Sequence, residues 1–387
     1  MKTKINWSGK SHNFSLQEKK YLMNVLDSDV LTQGIQKEKF EKSLRTYLSK
    51  KNIFCLNSAA SALELISVLL DIQKDDEIII PAHTYCASAI PFARRGAKIV
   101  WADIDLNTRT ISYEDVKKKI TKKTKAILIV HLYGYAVDVK KFKKFGKKIK
   151  IIEDCAQAFG AEIDGKKVGT IGDFSCFSFH AQKNITTLGE GGALYVKDSY
   201  LSSKVTGLRH NGHSSYTSKR KFYWKPAMGN LDLDLKNVWP YKFTLSEIQC
   251  AAGYLLLKRV DKLNKLRIER AKTFIKNVDN DFFSFNSNFK NKRHVYHLLS
   301  AMVNKKKIKN HYVIESLHKN YGIKCAVQYY PLYKYPLFKK MGLSKAECPN
   351  TERFYNNMIS FPFHVWMSSK DFNYMIKCVN KVTRLNK

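Results

Sequence analysis

No run of eighteen or more apolar residues occurs in the 387-residue chain, so no membrane-spanning helix is expected. The start, MKTKINWSGKSHNFS, has basic residues but lacks the apolar stretch of a secretory signal, and a cytoplasmic location is expected. The eight cysteines, Cys55, Cys86, Cys155, Cys176, Cys250, Cys325, Cys348 and Cys378, lie singly and never form a C-x-x-C pair. Several sit inside apolar runs, which points to buried free thiols in a reducing compartment. There is no H-x-x-x-H and no Cys/His spacing that suggests a metal, and no metal is expected. Repeats and low-complexity linkers are also absent.

Acidic residues are scarce. Asp and Glu number 33 against 68 Lys and Arg, for a formal charge of +35. Such an excess reads either as a solvated lysine-rich surface or as a field for nucleic acid, anionic lipid or phosphorylated substrates. The lysines are spread from end to end, in clusters such as Lys117 to Lys119 and Lys140, Lys141, Lys143, Lys144, without the arginine and aromatic interleaving of a nucleic-acid groove. Neither nucleic acid nor membrane is therefore expected as a partner.

What is present is the composition of a globular protein, 44% hydrophobic and long enough for one large unit and a smaller companion. From about residue 53 to 200, short apolar runs alternate with helix-length segments, the pattern of an α/β fold with a mostly parallel sheet. Strands are expected at Ile53 to Leu56, Ile78 to Ile80, Lys98 to Ala102, Ala126 to Leu132, Ile149 to Glu153, Phe174 to Phe179 and Ala193 to Val196. A helix is expected from Ser58 to Leu70, with Leu63, Ile66 and Leu70 on one face. Leu245 to Val278 reads as one long amphipathic helix leading out of the first domain. The expected division is a large domain over residues 1–245 and a long helix with a small α+β domain over 246–387. The polar, aromatic stretch His210 to Pro240 reads as a long loop over a site or an interface.

The densest chemical signal lies between Ile151 and Gly192. Asp154 ends a strand, where ligands bind in open α/β sheets. Lys183 follows the apolar strand Phe174 to Phe179 and precedes the turn TTLGEGG; it reads either as a surface lysine or as one whose proton is lost to desolvation, which makes it a nucleophile. Small residues after the first strand, Asn57-Ser58-Ala59-Ala60-Ser61, suit an ordinary helix cap or a phosphate held by free backbone N–H groups. Tyr85, in PAHTY, is either a packed loop aromatic or a flat ring offered at the same edge of the sheet. His131, in ILIVHLYG, reads as a satisfied core residue, while His83 and His180 lie near the expected site.

Taken together, the segments LTQG, NSAASALELI, DDEIIIPAHTYCAS, RRGAKIVWADID, IIEDCAQAFGA, GDFSCFSFHAQKNITTLGEGGAL, LRHNG and PYKFTLSEIQCAAG resemble the DegT/DnrJ/StrS family of pyridoxal-phosphate (PLP) sugar aminotransferases. The resemblance spans nearly the whole chain and implies an aspartate-aminotransferase-like fold. It implies that Lys183 holds the cofactor as a Schiff base and shuttles a proton, and that Asp154 pairs with the ring nitrogen. Gln157, one helical turn on, would approach the ring 3-hydroxyl, Tyr85 would stack on the ring, and Ser178 with the backbone of Ala59, Ala60 and Ser61 would hold the phosphate. It implies a homodimer with a shared active site, an amino-acid donor, L-glutamate, and a nucleotide-linked ketosugar acceptor. A non-nucleotide ketone, such as a keto-cyclitol or aminoshikimate-type precursor, is the competing acceptor, and a regulatory or nucleic-acid-binding homologue is a third reading.

The chain departs from the family's pattern in three places. Ala59-Ala60 stands where Gly-Thr or Ala-Thr is common, so one phosphate hydroxyl is lost. Lys242 or Thr244 stands where relatives often supply Asn to the neighbouring subunit's phosphate. Gln328 and Tyr333 replace two histidines in a substrate-facing motif. Lys183 itself argues against the branch of the family that carries histidine there and deoxygenates sugars.

Overall fold

The computed structural model describes residues 3–10, 12–213, 233, 235, 238–287, 289–304 and 308–385. Most of the expected loop at His210 to Pro240 lies outside them. The first nine strands, in chain order, are β1 (Ile53–Leu56), β2 (Glu77–Pro81), β3 (Lys98–Ala102), β4 (Thr124–Val130), β5 (Lys150–Asp154), β6 (Glu162–Ile163), β7 (Lys166–Lys167), β8 (Phe174–Ser178) and β9 (Gly192–Val196). Seven of them form one sheet in the order β1-β9-β8-β5-β4-β2-β3. Strand β9 runs antiparallel to β1 and β8, whereas β8, β5, β4, β2 and β3 are paired in parallel. Each expected strand is present, with ends moved by a residue or two.

A parallel sheet covered on both faces needs strands that are apolar on both sides. β2, read Glu-Ile-Ile-Ile-Pro, is buried throughout, as are β8 and β9. The helix Ala59–Leu69 is capped by Ser58, whose side chain accepts from the Ser61 N–H. It is buried almost all round, and Leu63, Leu65, Ile66 and Leu69 join Ile78, Ile80, Trp101 and Leu128 in the largest core cluster. All eight cysteines are free, and only Cys86 is not fully buried.

The stretch Leu245 to Val278 is two helices and not one. Glu247–Leu257 and Val260–Asn277 are separated at Lys258 and Arg259, where Arg259 leaves helical geometry at φ −119°, ψ 7°. The cause lies in what each half buries. Cys250, Ala252, Leu256 and Leu257 belong to clusters under the large sheet and the N-terminal helices, whereas Ala271 and Phe274 belong to a second core. One straight helix cannot aim its apolar stripe at both. No Gly or Pro marks the break. The Arg259 side chain is drawn aside by Glu18, at 2.8 Å, and by the carbonyl of Asn13.

The second core is built on an antiparallel sheet of β10 (Phe283–Ser284), β12 (Leu299–Val303) and β13 (Met358–Phe361), in the order β10-β12-β13. The helices Asn310–Tyr321 and Ser369–Leu385 cover it, and Phe274 packs on Phe361 with ring centroids 4.8 Å apart. A further short strand, β11 (Lys292–Arg293), pairs with β6.

Candidate functional site

The elements that follow the carboxyl ends of the parallel strands converge on one edge of the sheet. The helix Ala59–Leu69 follows β1, Tyr85 follows β2, Tyr133 follows β4, Asp154 ends β5 with Gln157 beyond it, and Ser178 ends β8 with Lys183 five residues on. This is the edge where open α/β sheets bind ligands.

Ala59 and Ala60 are the first two residues of their helix, so their N–H groups have no intrahelical acceptor. Gly192 pairs with Leu56 on one side and Ser178 on the other, which brings Ser178 to the same helix end. A Cβ on Gly192 would come 2.4 Å from the Ser58 carbonyl carbon and 2.5 Å from the Ala59 nitrogen, so only glycine lets strand and helix meet there. Ser61 is already engaged. Its hydroxyl donates to Asn57 Oδ1 at 2.6 Å and lies 2.9 Å from Ser58 Oγ, so Ser61 stabilises the cap and offers chiefly its backbone. Free N–H groups at the positive end of a helix beside a serine hydroxyl fit a phosphate.

Asp154 is 5% exposed, and its carboxylate accepts from Ser88 Oγ at 2.8 Å and from the Ala156 N–H at 3.0 Å. The thiol of Cys176 lies against it, and burial together with the Asp154 charge pushes that thiol well up. Burial lowers the Lys183 ammonium to about 8, partly opposed by the charges of Asp154 and Glu190. A buried carboxylate near a lysine whose proton is loosened by burial is an acid/base arrangement suited to a cationic heteroaromatic ring. The residues present therefore fit PLP.

Gln157 does not stand one helical turn past Asp154. It lies in a turn, because β5 is followed by loop and not helix. Its amide oxygen accepts from the Tyr133 N–H at 2.9 Å and its amide nitrogen donates to Tyr329 Oη at 3.0 Å. Tyr85 is 56% exposed and stands edge-on to Tyr329 with centroids 5.9 Å apart, so one face of its ring is open. Lys242 is exposed. Its neighbour Phe243 accepts from the Asn57 N–H at 3.0 Å, which puts this segment beside the helix start, but among the described residues Lys242 makes no bond to Ala59, Ala60 or Ser61.

A cavity of about 270 Å³ opens beside Lys183, lined by Arg267, His297, Gln328, Tyr329 and Lys10 among others. The residues that sequence reasoning missed sit here and behind Asp154. Ser88 carried no signal, since its short turn after Tyr85 resembles any loop. Arg267 did carry one: Val260, Asn264, Arg267, Ala271 and Phe274 are the buried stripe of their helix, and a charge at a stripe position is anomalous.

His131 is buried and satisfied, as read. Its Nδ1 accepts from the Val137 N–H, and its Nε2 donates to Glu153 at 3.0 Å. With Cys155 these two form a compact buried group of metal-ligating types. Glu153 also accepts from the N–H groups of Gly169, Ile171 and Gly172, and burial pushes the Cys155 thiol well up, so the group is a core network whose lone pairs are spent on the protein. His83 is buried against Tyr133, and His180 stands 3.8 Å from Glu190.

A family model described as the DegT/DnrJ/EryC1/StrS aminotransferase family matches residues 14–380. The chain is 31% identical over 361 residues to the dTDP-3-amino-3,6-dideoxy-alpha-D-galactopyranose transaminase of Aneurinibacillus thermoaerophilus, with 92% of this chain and 93% of that one covered. It is 30% identical over 348 residues to the GDP-perosamine synthase of Vibrio cholerae, covering 89% and 90%. Among solved structures, a Streptococcus pneumoniae protein in its PMP form aligns with a TM-score of 0.88 at 26% identity, over 98% of this chain and 100% of that one. Among the described residues, no helix is long and apolar enough to cross a membrane.

Proposed function

The chain belongs to the DegT/DnrJ/EryC1/StrS aminotransferase family and is a PLP-dependent sugar aminotransferase; from that premise we propose that it carries an amino group from L-glutamate to the keto group of a nucleotide-linked deoxysugar, for amino-sugar synthesis. The observation that carries the reading is Lys183, which feels the charge of Asp154 and lines a cavity, with burial lowering its ammonium to about 8, far below an ordinary lysine. When bound, PLP supplies an electron sink for charge that develops at the carbon gaining or losing the amine.

The chain's own residues do the rest. Lys183 anchors the cofactor and, once released, takes and returns a proton at its Nζ. Asp154, held by Ser88 and the Ala156 N–H, keeps a proton on the ring nitrogen, and Tyr85 covers one ring face. Gln157 orients the ring hydroxyl from its place between Tyr133 and Tyr329. Ser178 and the N–H groups of Ala59, Ala60 and Ser61 take the phosphate. In the proposed homodimer, exposed Lys242 of one subunit reaches the phosphate of the other.

The names of the two curated relatives carry different nucleotides, dTDP and GDP, which supports a nucleotide-linked acceptor without favouring one base. The test offers the cofactor-loaded protein L-glutamate with a panel of dTDP-, UDP- and GDP-linked ketosugars and of free keto-cyclitols, and follows amine gain by mass spectrometry. Amination confined to the free ketones would overturn the acceptor assignment.

A further inference from the structure

The strands of the large sheet have two ends, and the chemistry uses one. At the amino ends of the parallel strands a second cavity opens, of about 580 Å³ against about 270 Å³ beside Lys183. Ser49 and Lys50 reach it just before β1, Lys143 comes from the short helical segment Lys143–Phe145 ahead of β5, and Thr170 and Ile171 lead into β8. Lys197 arrives from the end of β9, which runs the other way. Strands of five residues put roughly 15 Å between this edge and the ends that carry Asp154 and Ser178.

Six of the thirteen lining residues are lysines, Lys50, Lys140, Lys143, Lys166, Lys167 and Lys197, and none is Asp, Glu or Arg. The whole chain has 68 Lys and Arg in 387 residues, so its general lysine richness does not account for this density. Lys140 is paired with Asp164 at 3.3 Å, and Lys167 with Glu162 at 3.1 Å, whereas Lys50, Lys143, Lys166 and Lys197 pair with no carboxylate among the described residues. Asp173 is a further acid close by, but its Oδ2 accepts from the Ile151 N–H at 2.9 Å. Partial burial, then the charge of Lys197 and more weakly that of Lys50, hold the Lys143 ammonium below the ordinary lysine range, with Asp173 and Glu153 opposing. Like charges crowded round a concave surface repel one another, and the cleft focuses their field on an incoming anion.

The chemistry of the lining selects the anion. A carboxylate is gripped best by the planar fork of arginine, which is missing from the lining, whereas compact ammonium groups bind phosphate as point charges. Four unpaired lysines around one cavity exceed what a single phosphate can meet and suit linked phosphates. The volume lies inside the roughly 300–1,000 Å³ range of small-molecule sites. Tyr47, stacked on Phe159 with centroids 5.2 Å apart, gives the cavity one fixed aromatic wall.

We propose that the amino-end edge of the large sheet carries a second binding site, for a ligand with two or more linked phosphate groups, with Lys50, Lys143, Lys166 and Lys197 as its receptors. The site is separate from the aminotransferase chemistry and does not depend on which acceptor is aminated. The phosphates belong to a free anion or to a lipid headgroup.

The test is calorimetric titration of the cofactor-loaded protein with inorganic tripolyphosphate. Wild type should bind one equivalent per chain, more weakly as salt rises. Lys143→Gln/Lys197→Gln should weaken binding by at least about 25-fold, from about fivefold for each contact charge in water. Lys377→Gln/Lys381→Gln removes the same charge from exposed positions on the helix Ser369–Leu385 and should weaken it by less than about twofold. Equal losses in the two double variants would reduce the cavity to its share of the general positive field and overturn the proposal. Undiminished binding by Lys143→Gln/Lys197→Gln, or no binding by wild type, would overturn it as well. Vesicles of phosphatidylcholine with and without cardiolipin separate the two sources of the phosphates. Cardiolipin-dependent binding that is lost in Lys143→Gln/Lys197→Gln puts them on a lipid, and tripolyphosphate binding without affinity for the vesicles puts them on a free anion.

Discussion

Glu153 and Asp154 are consecutive on β5, both nearly inaccessible, and they serve opposite faces of the sheet. A carboxylate has about four acceptor positions. Glu153 fills four, with His131 Nε2 and the N–H groups of Gly169, Ile171 and Gly172. Burial alone would raise it, but these donors hold it below the usual carboxylate range. Asp154 accepts from Ser88 and Ala156, with the Cys176 thiol as a third, weak donor, and keeps acceptor capacity unspent. What separates a structural carboxylate from a chemical one is therefore unspent acceptor capacity, and neither residue type nor depth distinguishes them.

The strongest way to break that comparison is on the chemical face. Lys183→Ala should abolish the visible absorbance of the bound cofactor and lower turnover by at least about 10³-fold, toward the upper range for a proton-transferring side chain; a coloured, active variant would refute the assignment. The same lysine gives a pH signature. Its ammonium is lowered from 10.5 to about 8, so the nucleophilic neutral amine appears as pH rises through about 8. Acylation of Lys183 in cofactor-free protein, followed by peptide mass spectrometry, should have its midpoint there, while exposed lysines react only at higher pH. Asp154→Asn should cost about 10²-fold in kcat, with the fold intact by circular dichroism.

The opposite face should answer in stability and hardly in rate. Glu153→Gln turns one oxygen, which accepts from two donors, into an amide nitrogen that meets them donor to donor. A loss of about 2–4 kcal/mol is expected from urea unfolding, with kcat per folded molecule almost unchanged. If Glu153→Gln folds normally but loses turnover, the two faces are not separable as described here.

Much of this was legible in the sequence because periodicity and strand-end position are local. The apolar runs located β2 to β5 and β8, and the residues at or soon after their ends, Tyr85, Asp154 and Lys183, inherit their place from those strands. The helix break at Lys258 and Arg259 was not legible, since it depends on two cores that lie in different directions and no residue there is a breaker. The hydroxyl behind Asp154 was not legible either, because Ser88 and Asp154 are 66 residues apart and meet only when β2 and β5 share a sheet edge. Nothing local to Glu153 signals the loop Gly169 to Gly172 that saturates it.

The smallest expected effect sharpens the comparison most. Ser88 is 1% exposed in the short turn Cys86–Ser88, and its Oγ lies 2.8 Å from Asp154 and 3.1 Å from Thr84 Oγ1. Ser88→Ala removes the hydroxyl donor from Asp154, leaves the Ala156 N–H and the Cys176 thiol, and keeps the negative charge in place. If Asp154 works through its charge and Ser88 only aims it, kcat should fall by about three- to tenfold, the worth of one hydrogen bond, and KM for the sugar should stay unchanged. Stability should fall by about 1–2 kcal/mol, because among the described residues Ser88 Oγ is the one partner of the buried Thr84 Oγ1. A fall as deep as that of Asp154→Asn would mean that orientation outweighs charge. No fall at all would mean that the carboxylate is held by the ring it serves, and that Ser88 is no more than packing.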